Sequence, residues 1–412
     1  MLRQLSYDLD TNLLFRPAIL LVALLLAGVL LPSAELALSA RLPGVALLSD
    51  LLAPNAATSQ LVLATVAGAM MSVVSVVYSI LLVALSLASM QFSTRILAGF
   101  MRDPLSRSVL GLFVGTFAYC LALLTRIHDG PGGVPGLSVA GAMLLAFTAL
   151  GALVLFIHHI VRSIQANVLI DRIARETEVV LDAVFPPSAA LAPAFTEAPL
   201  PVTVRSGRSG YVQLVDSEGL LRAAPGANLQ LLRGNGAFVA EGVALLRADR
   251  PVDAARLLAC IDIGPERTMQ DDAEFGLRQI VDIALKALSP AVNDPSTAAT
   301  CVDHLGRLLI RVAGRPMGAQ VCQGGGGALL IPCPRFEDLL DLSVEQIRQY
   351  GKGDMATALR LMRVLGELWH TVPEGDRRDR IRMHAERVRE AAQANFCAGD
   401  NVELDRRFAA LC

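Results

Sequence analysis

A row of small residues recurs through one long apolar segment, at intervals of three and four residues that keep it on one face of an α-helix. Most of its members carry a hydroxyl, which can replace part of the hydration shell of an ion without a fixed charge. The row could therefore line a conduit, or it could let two helices or two subunits pack closely. We call this row the serine seam; it comprises Thr65, Gly68, Ser72, Ser75, Ser79, Leu82, Ser86, Ser89 and Ser93.

Charged residues at helical spacing form a second candidate site, in a predicted helix that begins near Asp271. Glu274, Arg278, Asp282 and Lys286 alternate in sign every four residues, which predicts three contacts of about 0.2–0.5 kcal/mol each. Such a ladder is typical of a solvated face or an interface. A metal site built from Glu274 and Asp282 is the less favoured interpretation, because Arg278 lies between the two carboxylates.

The segment that follows, ALSPAVNDPSTAA, combines residues that end one helix with residues that start another. Pro290 ends the first helix. Asp294 followed by Pro295 predicts an N-cap with proline at the first helical position. This capping role already explains Asp294, and a ligand-binding or catalytic role for Asn293 and Asp294 is the alternative.

The sequence contains none of the common enzyme motifs that we sought: no nucleophile elbow, HExxH, Walker motif or GxGxxG after a predicted strand. Cys301 and His304 lie one helical turn apart, but no third group is evident that would orient a thiolate–imidazole pair. The seven cysteines include no CxxC pair, so we expect reduced, structural thiols. We therefore expect no enzyme activity, metal or cofactor. A third-ranked hypothesis is an enzyme that uses Asp271, Asp282, Asn293 or Asp294.

Composition separates the chain into a membrane half and a soluble half. Of its 412 residues, 53% are hydrophobic and 18% are charged, whereas soluble domains carry about a quarter charged residues. Nearly all of the apolar excess precedes Ile160, and the charges concentrate after Arg162. The net charge of −2 gives no reason to expect nucleic acid as a partner. We expect membrane lipid and further copies of the same chain.

Four apolar stretches approach or exceed the length of about 20 residues that a membrane-spanning helix needs. They cover approximately residues 13–31, 61–90, 109–125 and 137–161. Gly111 and Gly115 form a GxxxG pair in the third stretch, another sign of close packing. We expect no buried Asp, Glu, Lys or Arg in these spans, and we assign Glu35 to a loop. The absence of such residues argues against an ion-coupled transporter.

Arginines in the predicted loops indicate the orientation of the spans. They are frequent at the N-terminus, between spans two and three, and after span four: Arg3, Arg16, Arg95, Arg102, Arg107, Arg162, Arg172 and Arg175. The opposite loops hold only Arg41 and Arg126 as arginines. We therefore expect both termini to lie in the cytoplasm.

The predicted fold class is an α-helical multi-pass membrane domain of four spans, residues 1–161, followed by a cytoplasmic α+β region. That region divides into a connecting helix that continues from span four (162–185), a Pro/Ala linker (186–201), a small β domain (202–250) and a mostly helical domain (251–412). Short β-type runs between glycines predict a small β-barrel or sandwich of four to six strands. We expect QGGGG at 323–327 to be a flexible loop and the charge-rich tail at 374–395 to be an exposed helix.

Several segments resemble a family of bacterial predicted membrane proteins named for domain of unknown function 2254. These segments are ALSLASMQFSTRIL at 84–97, LGLFVGTFAYCLALL at 110–124, SGYVQLVD at 209–216, GAFVAEGVALL at 236–246 and DDAEFGLRQIVDIALKALSPAVNDPSTAATCVDHL at 271–305. The resemblance implies a four-span protein of the bacterial inner membrane with a cytoplasmic C-terminal region. It implies no activity and supplies no functional residues. One departure is Gly236, Ala237 and Phe238, where the family pattern has an acidic residue after the glycine.

Two functions stay open at this point. In the first, the protein is an oligomeric, channel-like conduit whose seams meet around a shared axis and whose cytoplasmic region regulates opening. In the second, it is a membrane-anchored cytosolic module that binds a ligand or a partner and transports nothing. The seam would then serve only assembly.

Overall fold

The computed structural model describes residues 15–52, 55–91, 103–128, 133–163, 165–187, 195 and 199–411. The chain divides into two compact units, Met1–Gln165 and Ala166–Cys412, which we call the membrane unit and the C-terminal unit. Ser93 of the serine seam and most of the predicted Pro/Ala linker lie outside the described residues.

The membrane unit contains five helices within its described residues. They are α1 (Phe15–Ser39), α2 (Pro43–Leu52), α3 (Ala56–Gln91), α4 (Pro104–Leu124) and α5 (Gly136–Ser163). Four of these helices, α1, α3, α4 and α5, are long and apolar enough to cross a membrane. They correspond to the four predicted spans, whereas the short helix α2 was not predicted.

Helix α1 continues through Pro32, where the sequence predicted its end. A proline removes one backbone hydrogen bond, which a membrane helix tolerates when neighbouring groups compensate. The added turns carry Glu35, which is 8% exposed and lies within the first apolar helix. The assignment of Glu35 to a loop is therefore wrong, and so is the expectation that the spans hold no buried carboxylate.

Helices α1 and α4 approach each other closely at glycines. A Cβ added at Gly115 would lie 2.5 Å from Leu24 Cδ1, and one added at Gly111 would lie 2.9 Å from the Cα of Pro17. The GxxxG pair of span three is therefore a contact surface for span one of the same chain.

The C-terminal unit contains nine helices and eight strands within its described residues. In chain order they are α6 (Ala166–Val184), β1 (Val202–Arg205), β2 (Gly210–Val215), α7 (Ser217–Ala223), β3 (Asn228–Leu231), β4 (Phe238–Val239), β5 (Ala244–Ala248), α8 (Ala254–Leu258), β6 (Ile261–Gly264), α9 (Ala273–Ala287), α10 (Pro295–Val312), β7 (Gln320–Gly324), β8 (Gly327–Ile331), α11 (Phe336–Tyr350), α12 (Met355–Thr371), α13 (Asp376–Asn395) and α14 (Ala398–Ala409).

The strands form two open sheets, one of five strands in the order β1-β5-β3-β8-β7 and one of three in the order β4-β2-β6. Strands β3 and β8 pair in parallel, and the other neighbours are antiparallel. Both sheets contribute to one hydrophobic core, which includes Val212, Leu229 and Ile263. Of the two predicted alternatives, barrel or sandwich, the barrel is wrong, because neither sheet closes on itself. Strands β6, β7 and β8 also extend the β structure beyond residue 250.

The QGGGG segment at 323–327 forms a tight hairpin between β7 and β8, where the sequence predicts a flexible loop. Gly324 pairs with Gly327, and the two residues between them, Gly325 and Gly326, have φ values of +60° and +81°. Two-residue turns with positive φ at both central positions match the twist of the flanking strands. The glycines therefore specify this turn.

Helix α6 is separate from the span-four helix. Helix α5 ends at Ser163, Gln165 is not helical, and α6 begins at Ala166, so the predicted continuous helix is interrupted. The buried face of α6 packs on α9 and α10. The contact with α9 depends on Gly276, because a Cβ there would lie 2.0 Å from the hydroxyl oxygen of Thr177.

The charge-rich tail is a packed helix. Helix α13 buries Ile381, His384, Ala385, Val388 and Ala392, and it contacts α11, α12 and α14. The prediction of an exposed helix is therefore wrong. The buried residues recur at helical spacing and form one narrow face, which the many arginines of the segment obscure in the sequence.

Candidate functional site

The serine seam lies on the face of α3 that points away from the other described helices of the membrane unit. Its exposed members are Thr65, Gly68, Ser72, Ser75, Leu82, Ser79 and Ser86. The opposite face of α3 packs into the core of the unit through Leu63, Ala67, Met70, Val74, Val77 and Ala84. A Cβ added at Gly68 would meet no atom within 4 Å. Within the described residues, the seam is therefore not a contact between two spans of one chain.

Four hydroxyls of the seam donate hydrogen bonds to carbonyl oxygens one turn earlier in α3. The donor–acceptor distances are 2.7 Å for Thr65, 3.2 Å for Ser72, 3.2 Å for Ser75 and 2.9 Å for Ser79. A hydroxyl that donates its hydrogen keeps two lone pairs as acceptors. The exposed face therefore offers neutral oxygen acceptors. Ser89 lies within α3 further along the same row.

A buried carboxylate binds the start of span four. Glu35 Oε1 accepts hydrogen bonds from the Leu137 N–H at 2.8 Å and the Ser49 hydroxyl at 2.6 Å. Its Oε2 accepts from the N–H of Ser138 at 2.9 Å and from the Ser138 hydroxyl at 2.7 Å. Glu35 of α1 thus caps the N-terminus of α5, a position that favours negative charge. Sequence reasoning missed this contact because its partners are about 100 residues apart.

The predicted charge ladder of α9 is shared with neighbouring segments. Arg278 binds Asp282 at 2.9 Å, as predicted, and it also donates to Gln346 of α11 at 2.7 Å. Glu274 instead lies 3.3 Å from Arg267, which precedes the helix. Lys286 is in the last turn of α9, where its positive charge interacts favourably with the helix dipole. The ladder therefore helps to hold α9 against its surroundings.

The NDP segment adopts the capping geometry that the sequence predicts. Asp294 is the N-cap of α10: it accepts hydrogen bonds from the Thr297 N–H at 3.0 Å and the Thr297 hydroxyl at 2.6 Å, with Pro295 in the first turn. Asn293 has a φ of +49°, in the left-handed region that asparagine tolerates better than most residues. Both residues thus have a local structural role.

A second buried cap lies at the start of α9. Asp272 is 4% exposed, and its carboxylate binds Arg267 through two hydrogen bonds of 2.5 and 2.9 Å. Burial raises the pKa of Asp272, and the Arg267 guanidinium opposes that rise. Gly236, with a φ of +81°, covers this pair, since a Cβ there would lie 1.9 Å from Asp272 Oδ2. The carboxylate that binds Arg267 therefore belongs to Asp272. The turn after Gly236 supplies no acidic residue, because Ala237 follows the glycine.

Three arginines at four-residue spacing hold α6 against α10. The arginines are Arg307, Arg311 and Arg315, and their acidic partners on α6 are Asp171, Glu178 and Asp182. We call these six residues the α6 latch. Its signal in the sequence is the four-residue spacing of the arginines; Arg307 and Arg311 lie on α10, and Arg315 follows shortly after its end. The partner helix could not be identified from spacing alone.

Asp182 is the most heavily engaged acid of the latch. Arg311 binds both of its oxygens, at 2.9 and 2.5 Å, and Arg315 approaches to 2.9 Å. The hydrogen bond from Arg311 lowers the pKa of Asp182 to about 2, and Arg315 acts in the same direction. Arg315 also donates to the carbonyl of Phe185 at 2.6 Å, just beyond the end of α6.

The pair of Cys301 and His304 does not form a reactive thiolate site. Cys301 is fully buried, and burial raises the pKa of its thiol, which disfavours the thiolate. Within the described parts of the chain, no group of three or more His, Cys, Asp or Glu side chains is arranged to hold a metal ion.

A sequence model for predicted membrane proteins, DUF2254, matches residues 10–367. The chain belongs to the DUF2254 family. Its relatives include an uncharacterized protein of Mycobacterium tuberculosis strain H37Rv and one of Mycobacterium bovis. Each is 34% identical over 355 residues, which cover 81% of this chain and 68% of the relative. No solved structure matches the chain. This DUF2254 protein is thus a membrane protein with four apolar helices.

Proposed function

We propose that this DUF2254 protein is an oligomeric, channel-like conduit for small cations, with a regulatory C-terminal unit. The observation that carries the proposal is the direction of the serine seam. The seam faces outward from a chain whose own helices pack on the other side of α3. Several copies that turn this face toward a common axis would cover their seams and line a passage with hydroxyls.

The chemistry of the seam supports a neutral, cation-accepting wall. The hydrogens of Thr65, Ser72, Ser75 and Ser79 are donated to carbonyls of α3. Their lone pairs stay available on the exposed side, and neutral oxygens can replace part of the hydration shell of a cation. Such a wall needs no ionisable side chain.

The regulatory role follows from the connection between the units. The arginine distribution favours cytoplasmic termini, and with them a C-terminal unit in the cytoplasm of a bacterial cell. Helix α6 begins at Ala166, shortly after α5 ends at Ser163. Since the α6 latch joins α6 to the rest of the C-terminal unit, we expect a change in that unit to reach span four along the chain that joins α5 to α6.

Cation flux into liposomes tests the proposal. The full chain is reconstituted, and K⁺ and Cl⁻ fluxes are compared under voltage, membrane tension and pH steps. Ser75→Leu and Ser79→Leu should strongly reduce the K⁺ flux, because each replaces an acceptor by a bulky apolar side chain. Ala69→Leu is the matched control, since Ala69 is an exposed small residue of α3 that carries no hydroxyl and is not a member of the seam.

Liposomes that stay sealed to K⁺ under all these conditions would overturn the proposal. So would equal flux in the seam variants and the Ala69→Leu control. In that outcome the membrane-anchored binding module is the remaining function. It predicts that the full chain, solubilised in detergent, captures a cytoplasmic protein or a metabolite through its C-terminal unit.

A further inference from the structure

A histidine is buried between two carboxylates where α11 and α13 meet. His384 of α13 is 1% exposed. Its Nε2 lies 2.7 Å from Asp341 Oδ1, and its Nδ1 lies 3.9 Å from Glu345 Oε2. Both carboxylates belong to α11, one helical turn apart. The imidazole therefore connects the two helices through one short contact and one long contact.

The two contacts fix where the ring proton of the neutral imidazole lies. Asp341 offers only acceptor atoms when ionised, so the short contact requires a hydrogen on Nε2. Nδ1 of His384 then carries a lone pair that faces an oxygen of Glu345, which is also an acceptor. Both of these atoms are buried and have no hydrogen-bond partner among the described residues. A single added proton would replace the opposed lone pairs by an attraction between His384 and Glu345, which becomes a charge-assisted hydrogen bond only if the 3.9 Å separation shortens.

Arginines hold the two carboxylates in place. Asp341 accepts a hydrogen bond from Arg380 Nε at 2.8 Å. Glu345 Oε1 binds Arg348 at 2.7 Å, and Glu345 Oε2 lies 3.5 Å from Arg387, an ion pair without hydrogen-bond geometry. Both acids are thus kept ionised and oriented, and Glu345 lies close enough to serve as the counter-ion of a protonated His384.

The other helices that pack on α13 direct their main charges elsewhere. On α12, Arg360 and Arg363 bind Asp303; on α14, Asp405 binds Arg389, and Glu403 binds Arg406 and Arg407. The charges that act on the imidazole are those of Asp341, Glu345 and Arg380. Asp341 and Arg380 also line an open cleft of about 380 Å³, which gives water access to the edge of this cluster.

We propose that His384 Nδ1 and Glu345 Oε2 form a buried binding site for one proton, whose occupancy alters the contact between α11 and α13. The site is empty at neutral pH and fills on acidification. Proton uptake makes His384 a cation that donates to Asp341 and is attracted toward Glu345. This inference does not depend on conduction through the membrane unit.

Burial lowers the pKa of His384 below its ordinary value of 6.5, and the two carboxylates limit that fall. The unfolded chain therefore binds this proton more readily than the folded chain. The stability linked to His384 is complete above about pH 6.5 and declines as pH falls through that value toward the folded pKa. Acidification should thus lower the free energy of unfolding of the C-terminal unit.

Nuclear magnetic resonance of the full chain in detergent, with isotope-labelled histidine, tests the site. The six histidines of the chain are few enough to resolve, and His384→Gln assigns the resonance. At pH 8 the signal of His384 should show a hydrogen on Nε2. On acidification it should titrate once, with a midpoint below 6.5. Glu345→Gln should move that midpoint lower by about one pH unit, because the counter-ion is lost.

Glu386→Gln is the matched control. Glu386 is on α13, the helix of His384, but its carboxylate pairs with Arg382 at 3.1 Å. It should leave the midpoint unchanged. A hydrogen on Nδ1 at pH 8, no titration of His384 between pH 8 and 4, or equal midpoints in the Glu345→Gln and wild-type chains would overturn the proposal. The position of the ring hydrogen of His384 at pH 8 is measured in the wild-type chain, so this test remains decisive even if a variant fails to fold.

Discussion

Removing the carboxylate of Glu35 should open the end of the membrane unit where α1, α2 and α5 meet. Glu35→Ala leaves two backbone N–H groups, those of Leu137 and Ser138, without their acceptor in a buried setting. Each buried donor left unsatisfied costs about 1–3 kcal/mol. The sum is about 2–6 kcal/mol, before any loss from the hydroxyls of Ser49 and Ser138. Ser49 also accepts from the Gly136 N–H at 3.2 Å, so the effect should extend to the first residue of α5.

Glu35→Gln should destabilise the membrane unit less than Glu35→Ala. A glutamine keeps one oxygen, which can still accept from Leu137 and Ser49, but its NH2 group cannot accept from Ser138. The cost of Glu35→Gln should therefore be about 1–3 kcal/mol, less than that of the alanine variant. Asp50→Ala is the control, because Asp50 is an exposed carboxylate on α2, one residue after Ser49.

The reaction of Cys120 with a maleimide during heating reports on the membrane unit alone. Cys120 is fully buried in the cluster that contains Tyr119 and Val139, so it reacts only when that cluster opens. The assay uses a chain in which the other six cysteines are replaced. The temperature at which Cys120 reacts should be highest for Asp50→Ala, lower for Glu35→Gln and lowest for Glu35→Ala. If Glu35→Ala reacts at the temperature of Asp50→Ala, the reasoning about the buried cap is refuted.

Three further predictions concern the C-terminal unit. Gly276→Ala should destabilise it by about 1–3 kcal/mol in chemical unfolding, because the added methyl overlaps Thr177; a smaller loss in the double variant with Thr177→Ala would confirm the contact. Asp182→Asn should remove a pH-dependent contribution of at most about 1 kcal/mol, since the pair with Arg311 is partly exposed and screened. Because the folded pKa of Asp182 is lowered to about 2, that contribution is present above about pH 4 and is lost as pH falls toward 2, so the unfolding curves of the two chains should converge there. Asp294→Ala should cost about 1 kcal/mol through loss of the α10 cap, whereas Asp294→Ser should cost less, measured by urea unfolding.

Local patterns were sufficient where neighbours in sequence determine the structure. The four apolar helices follow from length and hydropathy, and the Asp294 cap follows from two adjacent residue types. The outward direction of the seam could not be predicted, because small residues serve equally well in packing and in exposure. The α3 residues that face the core are larger on average, and their burial became evident only with α4 and α5 in place.

Contacts between distant segments account for the errors. Glu35 looked like a loop residue because three of its four donors belong to Leu137 and Ser138, about 100 positions further along the chain. The parallel pairing of β3 with β8 joins residues about 100 positions apart, so the β region looked complete at residue 250. The glycines at 325 and 326 were ambiguous for a different reason: the same residues serve a flexible loop and a turn with positive φ.

Cross-linking between single cysteines in native membranes tests the central claim most directly. Ser72→Cys, Ser75→Cys and Ser79→Cys, each in a chain without its other cysteines, should form covalent dimers with an oxidant, because the seams of neighbouring copies face each other. Ala69→Cys, exposed at the edge of the same face but outside the seam, should form fewer dimers. Equal yields at Ala69 and at the seam positions, or no dimer at any of them, would contradict an assembly built around the serine seam.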